Sequence, residues 1–439
     1  MADQSLIRIL REIRLFEKDD QLAMTIHYSE NNVRQITALL IGPPDTPYAF
    51  GFYQVAITVP LDYPARPPTV TMRTTNHGKT RFGPNLYASG KICLSIIGTW
   101  PGPPNEDWSP AQGLESVLLS IQSLLSANPY TLEPGFENPR APSDKQSSKN
   151  YSAKIAHENL RLTVIAPLEL AMGITTGSSS SKRQKTKGEK GPDSTLGPFV
   201  DFCKQRFLWY REQYKKAIQD GIDDREICPG QPFPLTLFES HDNSMSGQWN
   251  YQQLMSRFDA LEKAIMKETN EWPSAGLKLE KKESGLAVSL RAQRAQIVSE
   301  MAHRSNAIFD LTLIDDNPFL WRMTYFGRSG TPVDDGVFKI RIHVSPNHPE
   351  VQPRVYMETP LFHVRVATDQ MLIYLPVRAD EMIRHIEGIL FALEEKWPIC
   401  NPLMVVNQER ARLCWGSADD KKEYTRRLRR SVADSLDNL

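Results

Sequence analysis

The chain has 439 residues, 40% hydrophobic and 24% charged, enough for two or three ordinary globular domains. Its 52 Lys+Arg balance 52 Asp+Glu, so no global field draws it to nucleic acid or a membrane surface, and neither is expected as a partner. Five cysteines (93, 203, 228, 400 and 414) form no CxxC or Cys/His spacing, which argues against a disulfide framework or a metal site and for a reducing, cytoplasmic and/or nuclear setting. The N-terminal pattern is not that of a signal peptide, and no apolar run is long enough to predict a spanning helix.

Residues 3–18 predict an amphipathic helix. Leu6, Ile9, Leu10, Ile13 and Phe16 recur at helical spacing, with Arg8, Arg11, Arg14 and Lys18 between them. Strand-like runs follow at 23–28, 34–41, 52–59 and 69–73, separated by polar turns and by the proline-rich stretch 60–68. Successive short strands with short turns predict an antiparallel meander. Pro60, Pro64, Pro67 and Pro68 stiffen the last crossing into an extended loop. A helix is predicted at 110–126, with Ser109 as N-cap and Pro110 in the first turn. Another is predicted at 150–170. Residues 171–198 are polar, Gly/Ser-rich and basic, and read as a disordered linker. Lys182-Arg183-Gln184-Lys185 within it has the composition of a nuclear-import signal. Helices are then predicted at 199–218, 250–268 and 278–303. The last block predicts strands at 308–314, 320–326, 336–344 and 354–358, and helices at 379–396, 405–412 and 418–436.

The two ends of the chain share a plan. Gly42-Pro43-Pro44-Asp45-Thr46-Pro47, a strand and the proline-rich 60–68 are echoed by Gly327-Arg328-Ser329-Gly330-Thr331-Pro332, the strand 337–344 and 346–353. In this register Pro64 matches Pro349 and Pro68 matches Pro353. Gly83-Pro84-Asn85 then falls on His363-Val364-Arg365, and Cys93 on Ile373. The second copy keeps a scaffold and loses both the thiol and the amide.

The chemistry-bearing stretch runs from Gly83 to Trp108. A lone cysteine among isoleucines and leucines is more often a small buried hydrophobe than a nucleophile. Here Asn85 precedes Cys93 by eight residues and offers an amide that can brace the turn or donate to an oxyanion. Gly90 permits a sharp turn between them, and Trp108-Ser109-Pro110 follows.

These residues resemble the catalytic core of ubiquitin-conjugating (E2) enzymes. The family pattern of His-Pro-Asn, a cysteine-leucine eight residues on, Trp-Ser/Thr-Pro-Ala and Tyr-Pro-x-x-Pro-Pro is matched in order by Gly83-Pro84-Asn85, Cys93-Leu94, Trp108-Ser109-Pro110-Ala111 and Tyr63-Pro64-Ala65-Arg66-Pro67-Pro68. Residues 98–112 and 128–137 resemble the large branch that includes the E2 Z type. The resemblance implies an α+β chain. An N-terminal UBC fold (a four-stranded antiparallel meander flanked by helices) at 1–170 carries the catalysis, followed by the linker at 171–198 and a helical middle region at 199–305. A degenerate, inactive UBC-like domain closes the chain at 306–439. Gly83 replaces the family histidine, whose role is mainly structural; Ala65 stands where many E2s offer a bulky residue to ligases; and 101–107 lengthens the segment after the cysteine.

The same resemblance implies the roles. Cys93 accepts the acyl terminus of ubiquitin, or of a ubiquitin-like protein, from an E1 thioester and passes it to a substrate lysine or an E3. Asn85 supports the loop and the developing oxyanion. Thr131 is nearest the family's gate position, with Glu106, Asp107 and Glu133 as further candidates. Arg8, Arg11, Tyr63, Pro64, Arg66, Ser109, Pro110 and Ala111 belong to the E1/E3-binding surface. No cofactor or metal is implied, since ATP is consumed by the E1. The alternative is a non-catalytic scaffold of E2-variant type that grips ubiquitin or another partner. A cysteine hydrolase would need a histidine poised beside the thiol, and no Cys-His signature is recognisable.

Overall fold

The computed structural model describes residues 3–18, 22–102, 106–174, 196–240, 242–303 and 309–437. The chain divides into two compact units, Met1–Cys203 with Tyr214–Leu261, and Lys204–Gln213 with Glu262–Leu439.

The first unit begins with α1 (Gln4–Lys18). The Asp3 carboxylate accepts from the Leu6 amide at 3.1 Å and caps its open end. Ile9, Ile13 and Phe16 turn inward, while Ile7 and Leu15 stay exposed. Strands β1 (Met24–Ser29), β2 (Asn32–Ile41), β3 (Phe52–Thr58) and β4 (Thr69–Met72) form an antiparallel meander in sequential order. Its register pairs Met24 with Leu40, Ile36 with Ile57 and Val55 with Met72. Ala38, Leu40, Tyr53, Val55 and Ile57 join a buried cluster with Val117, Leu118 and Ile121 of α2 (Leu114–Ser123). Burying each large apolar side chain there contributes about 1.5–3 kcal/mol.

Helix α2 starts later than its sequence predicts. Ser109 and Pro110 lie in an exposed turn closed by Gln112, and Gly113 takes the cap position. The Leu114 amide donates instead to Glu12 Oε2 of α1 at 3.0 Å, so a carboxylate from a distant helix satisfies the open end. The helix predicted at 150–170 also differs. It begins at α3 (Pro142–Glu158), widens into a π segment at Asn159–Ile165 and returns to α4 (Ala166–Ala171). Pro167 has no N–H for the Thr163 carbonyl, which disfavours a regular α ladder there. Asn159, at the start of the wide turn, accepts from the Tyr53 hydroxyl at 2.7 Å and donates to the Ala49 carbonyl at 3.0 Å.

Within the expected linker, residues 175–195, including Lys182-Arg183-Gln184-Lys185, lie outside the described residues. The middle region carries α5 (Val200–Asp223), α6 (Tyr251–Glu280) and α7 (Gly285–His303). It is not helical throughout. Residues 224–240 and 242–250 form an irregular strap rich in proline that belongs to the first unit. Nor is the middle a unit of its own, since α5 and α6 each divide between the two.

The second unit repeats the meander. β5 (Phe309–Leu313), β6 (Leu320–Phe326), β7 (Val337–His343) and β8 (Arg354–Met357) pair antiparallel in order. α8 (Met382–Glu394) lays Ile386, Ile389 and Leu393 into the core with Trp321, Ile340 and Ile342. The equivalent corners are built alike: a Cβ on Gly42 would meet the Tyr48 carbonyl oxygen at 1.8 Å, and one on Gly327 the Val333 carbonyl oxygen at 1.7 Å. Helices α9 (Gln408–Trp415) and α10 (Ala418–Asp434) close the unit, the latter opened by a Ser417–Asp420 capping box.

Candidate active site

Cys93 lies between β4 and α2 on a loop held by its own backbone. The Cys93 amide donates to the Asn85 carbonyl at 2.9 Å, and Asn85 Nδ2 donates back to the Cys93 carbonyl at 3.1 Å. The side-chain amide thus braces the cysteine's own peptide. Gly90 makes the turn between them at φ +87°, and a Cβ there would sit 2.7 Å from the Met72 carbonyl oxygen. After the cysteine, Thr99 Oγ1 accepts from the Leu94 amide at 3.0 Å and donates to the Ile92 carbonyl at 2.6 Å, folding 92–99 back on itself. The result is a free thiol that is 3% exposed on a doubly tied loop.

Tyr87 stands beside it. Burial, then the adjacent Cys93 thiol, pushes the Tyr87 phenol above its ordinary range. Lys91 Nζ and the Arg81 guanidinium lie 5.7 and 5.0 Å from the Tyr87 ring centre. Sequence reasoning passed over Arg81 and Tyr87. The sequence carries no local signal for Arg81, which finds Glu133 and the Phe238 carbonyl far along the chain.

Thr131 is half-buried and its hydroxyl donates to the Asn128 carbonyl at 2.9 Å. Glu133 pairs with Arg81 at 3.1 Å, and Glu106 Oε2 accepts from Ser95 Oγ at 3.3 Å. Asp107 is exposed.

The residues expected to form a partner surface divide into two groups. Arg11, Arg66, Ser109, Pro110 and Ala111 are exposed, and Arg66 pairs locally with Asp62. Tyr63 instead faces inward, and Arg8 is half-exposed. Tyr63 is 2% exposed, and its hydroxyl donates to Glu12 Oε2 at 2.7 Å. Arg8 pairs with the same Glu12 and reaches the Gln112 carbonyl at 3.3 Å. Pro64 is half-buried, and its carbonyl accepts from Trp108 Nε1 at 2.7 Å. Glu12 therefore gathers α1, the proline loop and the start of α2 into one frame, which draws Tyr63 off the free surface and leaves Arg8 half-exposed at its rim.

In the second unit the Ile373 amide donates to the Arg365 carbonyl at 2.9 Å, the bond that joins Cys93 to Asn85. The preceding ties recur as well: Met72 to Gly90 and Met357 to Gln370 are both 2.8 Å. Ile373 is fully buried, and the Arg365 guanidinium turns to Glu395 at 3.0 Å. The loop survives with a hydrocarbon at the thiol's position. Among the described residues no group of three or more His, Cys, Asp or Glu is placed to hold a metal ion, and no helix is long and apolar enough to cross a membrane.

Comparison with known proteins places this geometry. The family model for ubiquitin-conjugating enzymes matches residues 8–158 and again 293–432, covering each meander. Human ubiquitin-conjugating enzyme E2 Z is 36% identical over 265 residues, 60% of this chain and 65% of that protein. The zebrafish (Danio rerio) E2 Z is 47% identical over 264 residues, 60% of this chain and 70% of its own length. The chain thus spans about two thirds of the length of these relatives. Among solved structures, human ubiquitin-conjugating enzyme E2 G1 is similar at 28% identity, covering 28% of this chain and 97% of that one with a TM-score of 0.25. With two matches to its model and the E2 Z relatives alongside, the chain belongs to the ubiquitin-conjugating enzyme (E2) family, in its E2 Z-like branch.

Proposed function

We propose that the first unit is an active E2 that carries ubiquitin, or a ubiquitin-like protein, as a thioester on Cys93. The observation that carries this reading is the reciprocal pair of hydrogen bonds between Asn85 and Cys93, 2.9 and 3.1 Å, which fixes an amide one peptide from a free thiol. In the first step the Cys93 thiolate attacks the carbonyl of an E1-bound thioester, and the E1 thiolate leaves. In the second, a substrate lysine amine, or an E3 cysteine, attacks the new thioester. The Cys93 thiolate leaves, and an attacking amine gives up its proton. Asn85 keeps the loop in register, and its side-chain amide is the donor offered to the oxyanion of the second step. ATP is spent by the E1, so no cofactor is required on this chain. Arg8 and Arg11 on α1 and the exposed Arg66 and Ser109-Pro110-Ala111 are the partner-facing residues, and Thr131 borders the gate. The expected setting is cytoplasmic and/or nuclear.

The experiment mixes purified chain, E1, modifier and Mg-ATP and follows the product with and without reductant. Cys93→Ala is expected to abolish the reductant-sensitive adduct, and Cys93→Ser to replace it with a reductant-stable ester. Asn85→Ala is expected to keep charging and to slow discharge onto lysine by about 10²-fold, the effect of losing one oxyanion donor. For the second unit, Ile373 in place of the thiol and Arg365 in place of the amide favour a non-catalytic binding role. Deleting 307–439 without altering charging, substrate range or partner binding would exclude that role.

A further inference from the structure

Arg81 sits at the centre of a contact set that the two transfer steps do not by themselves require. It is 3% exposed. Nε donates to the Gly83 carbonyl at 3.1 Å, Nη2 to the Pro84 carbonyl at 2.8 Å and to Glu133 at 3.1 Å, and Nη1 to the Phe238 carbonyl at 3.0 Å. The guanidinium also lies 5.0 Å from the Tyr87 ring centre. One planar cation thus ties down the two carbonyls that precede Asn85 and packs against the tyrosine beside Cys93. Only a guanidinium has enough donors in fixed directions for this; an ammonium would satisfy part of the set.

The other side of the cradle comes from the strap after α5. The Arg81 amide donates to the Ser244 carbonyl at 3.0 Å, and the Ala88 amide, in the turn before Cys93, donates to Asn243 Oδ1 at 3.1 Å. The strap is itself anchored at depth. Glu239 and Lys154 form a fully buried ion pair, and Glu239 also accepts from the Thr236 and Met245 amides at 2.9 and 3.2 Å. Phe238 packs among Tyr130, Phe136 and Tyr151, with ring centres 5.5, 5.2 and 5.1 Å away. Three separate bonds therefore run from residues 238–244 to the loop that presents the thiol.

We infer that Arg81 is a positioning residue for the Cys93 site and that the strap from Thr236 to Met245 is the built-in half of its cradle. Arg81 braces from the side the backbone carbonyls of Gly83 and Pro84. The inference rests on reading Cys93 as the thioester nucleophile. Its kinetic mark lies in the second step, where Asn85 and Tyr87 must hold their places around the thioester while an amine attacks.

The test uses the full chain with Arg81→Ala, Arg81→Lys and Asn243→Ala. Each is charged, the E1 is quenched, and the thioester is chased with free lysine to give a plateau rate and a half-saturating lysine concentration. Hydrogen exchange is read over peptides covering 83–93. For Arg81→Ala the ratio of plateau discharge to charging rate is expected to fall about 10²-fold, the scale of a misplaced reacting group, with half-saturation unchanged and exchange over 83–93 increased. Arg81→Lys is expected to restore only part of the plateau rate, and Asn243→Ala to move both readouts the same way by less. Should Arg81→Ala not fold, the lysine and Asn243 variants carry the test. The inference is overturned if charging and discharge fall in step, if Arg81→Lys behaves as wild type, or if exchange over 83–93 does not change. If the unaltered chain accepts no modifier, the E2 reading fails, while exchange over 83–93 still judges the brace.

Discussion

Glu12 shows how much one side chain can hold. It accepts from the Tyr63 hydroxyl and from the Leu114 amide at 2.7 and 3.0 Å, and it pairs with Arg8. Burial first, then Glu12, pushes the Tyr63 phenol above its ordinary range, so the proton stays on tyrosine and the hydroxyl acts as donor. Replacing Glu12 with alanine strands a buried phenol and an open helix end. The expected loss is about 1–3 kcal/mol, read as a lower midpoint in urea, with Glu12→Gln losing less. An unchanged midpoint in Glu12→Ala would mean that water replaces the carboxylate. Cys93 illustrates the opposite case, where local sequence is nearly sufficient. Its neighbours Asn85 and Gly90 are close in the chain, and their spacing already implied the turn that the two hydrogen bonds complete.

At the scale of elements, legibility follows the range of the forces. All eight strands were readable because alternation and turn residues are local, as in β3, where Val55 and Ile57 point inward between half-buried and exposed neighbours. The start of α2 was not, because its cap comes from α1, 102 positions away. The strap was missed for the same reason. Pro229, Pro232 and Pro234 mark it as non-helical, but nothing local says that Glu239 finds Lys154 or that Asn243 finds Ala88. The Lys154–Glu239 pair is the anchor to break. Burial pushes the Lys154 ammonium below its ordinary value while Glu239 opposes the shift. Glu239→Gln leaves a buried cation unpaired and is expected to cost about 3–5 kcal/mol, with new protease cuts between α5 and α6. Global unfolding without early cuts in that segment would show that the strap does not release separately.

Across the whole molecule, one four-stranded meander recurs with a different side chain at the same loop. The correspondence of Cys93 with Ile373 was legible from the prolines that flank each meander, and the Ile373–Arg365 bond has the same length as its counterpart. A Cys93→Ala/Ile373→Cys double variant is expected to form no thioester, since Arg365 faces Glu395 where an amide would be needed; a reductant-sensitive adduct on residue 373 would contradict this. The second unit also buries His343, His348, His363 and His385. Burial holds His343 and His385 down to about 4 and, with Arg365 and Arg410 beside it, His363 down to about 3; His348 is lowered too. Their unfolded value is about 6.5. Below that pH the unfolded chain takes up protons that the folded unit refuses. Their contribution is therefore complete above about pH 6.5 and lost as pH falls toward about 4, at about 1.4 kcal/mol per pH unit for each histidine. Hydrogen exchange in β5–β8 is expected to accelerate from pH 6.5 to 4.5 after correction for intrinsic rates; flat protection would contradict it. The central claim, that Cys93 is the acceptor thiol, is tested most directly by charging the intact chain with E1, ubiquitin and Mg-ATP, and then with ubiquitin-like modifiers and their E1s. The expected result is one reductant-sensitive adduct, lost in Cys93→Ala and kept in Ile373→Ala. The absence of any adduct, or an adduct that survives Cys93→Ala, would contradict it.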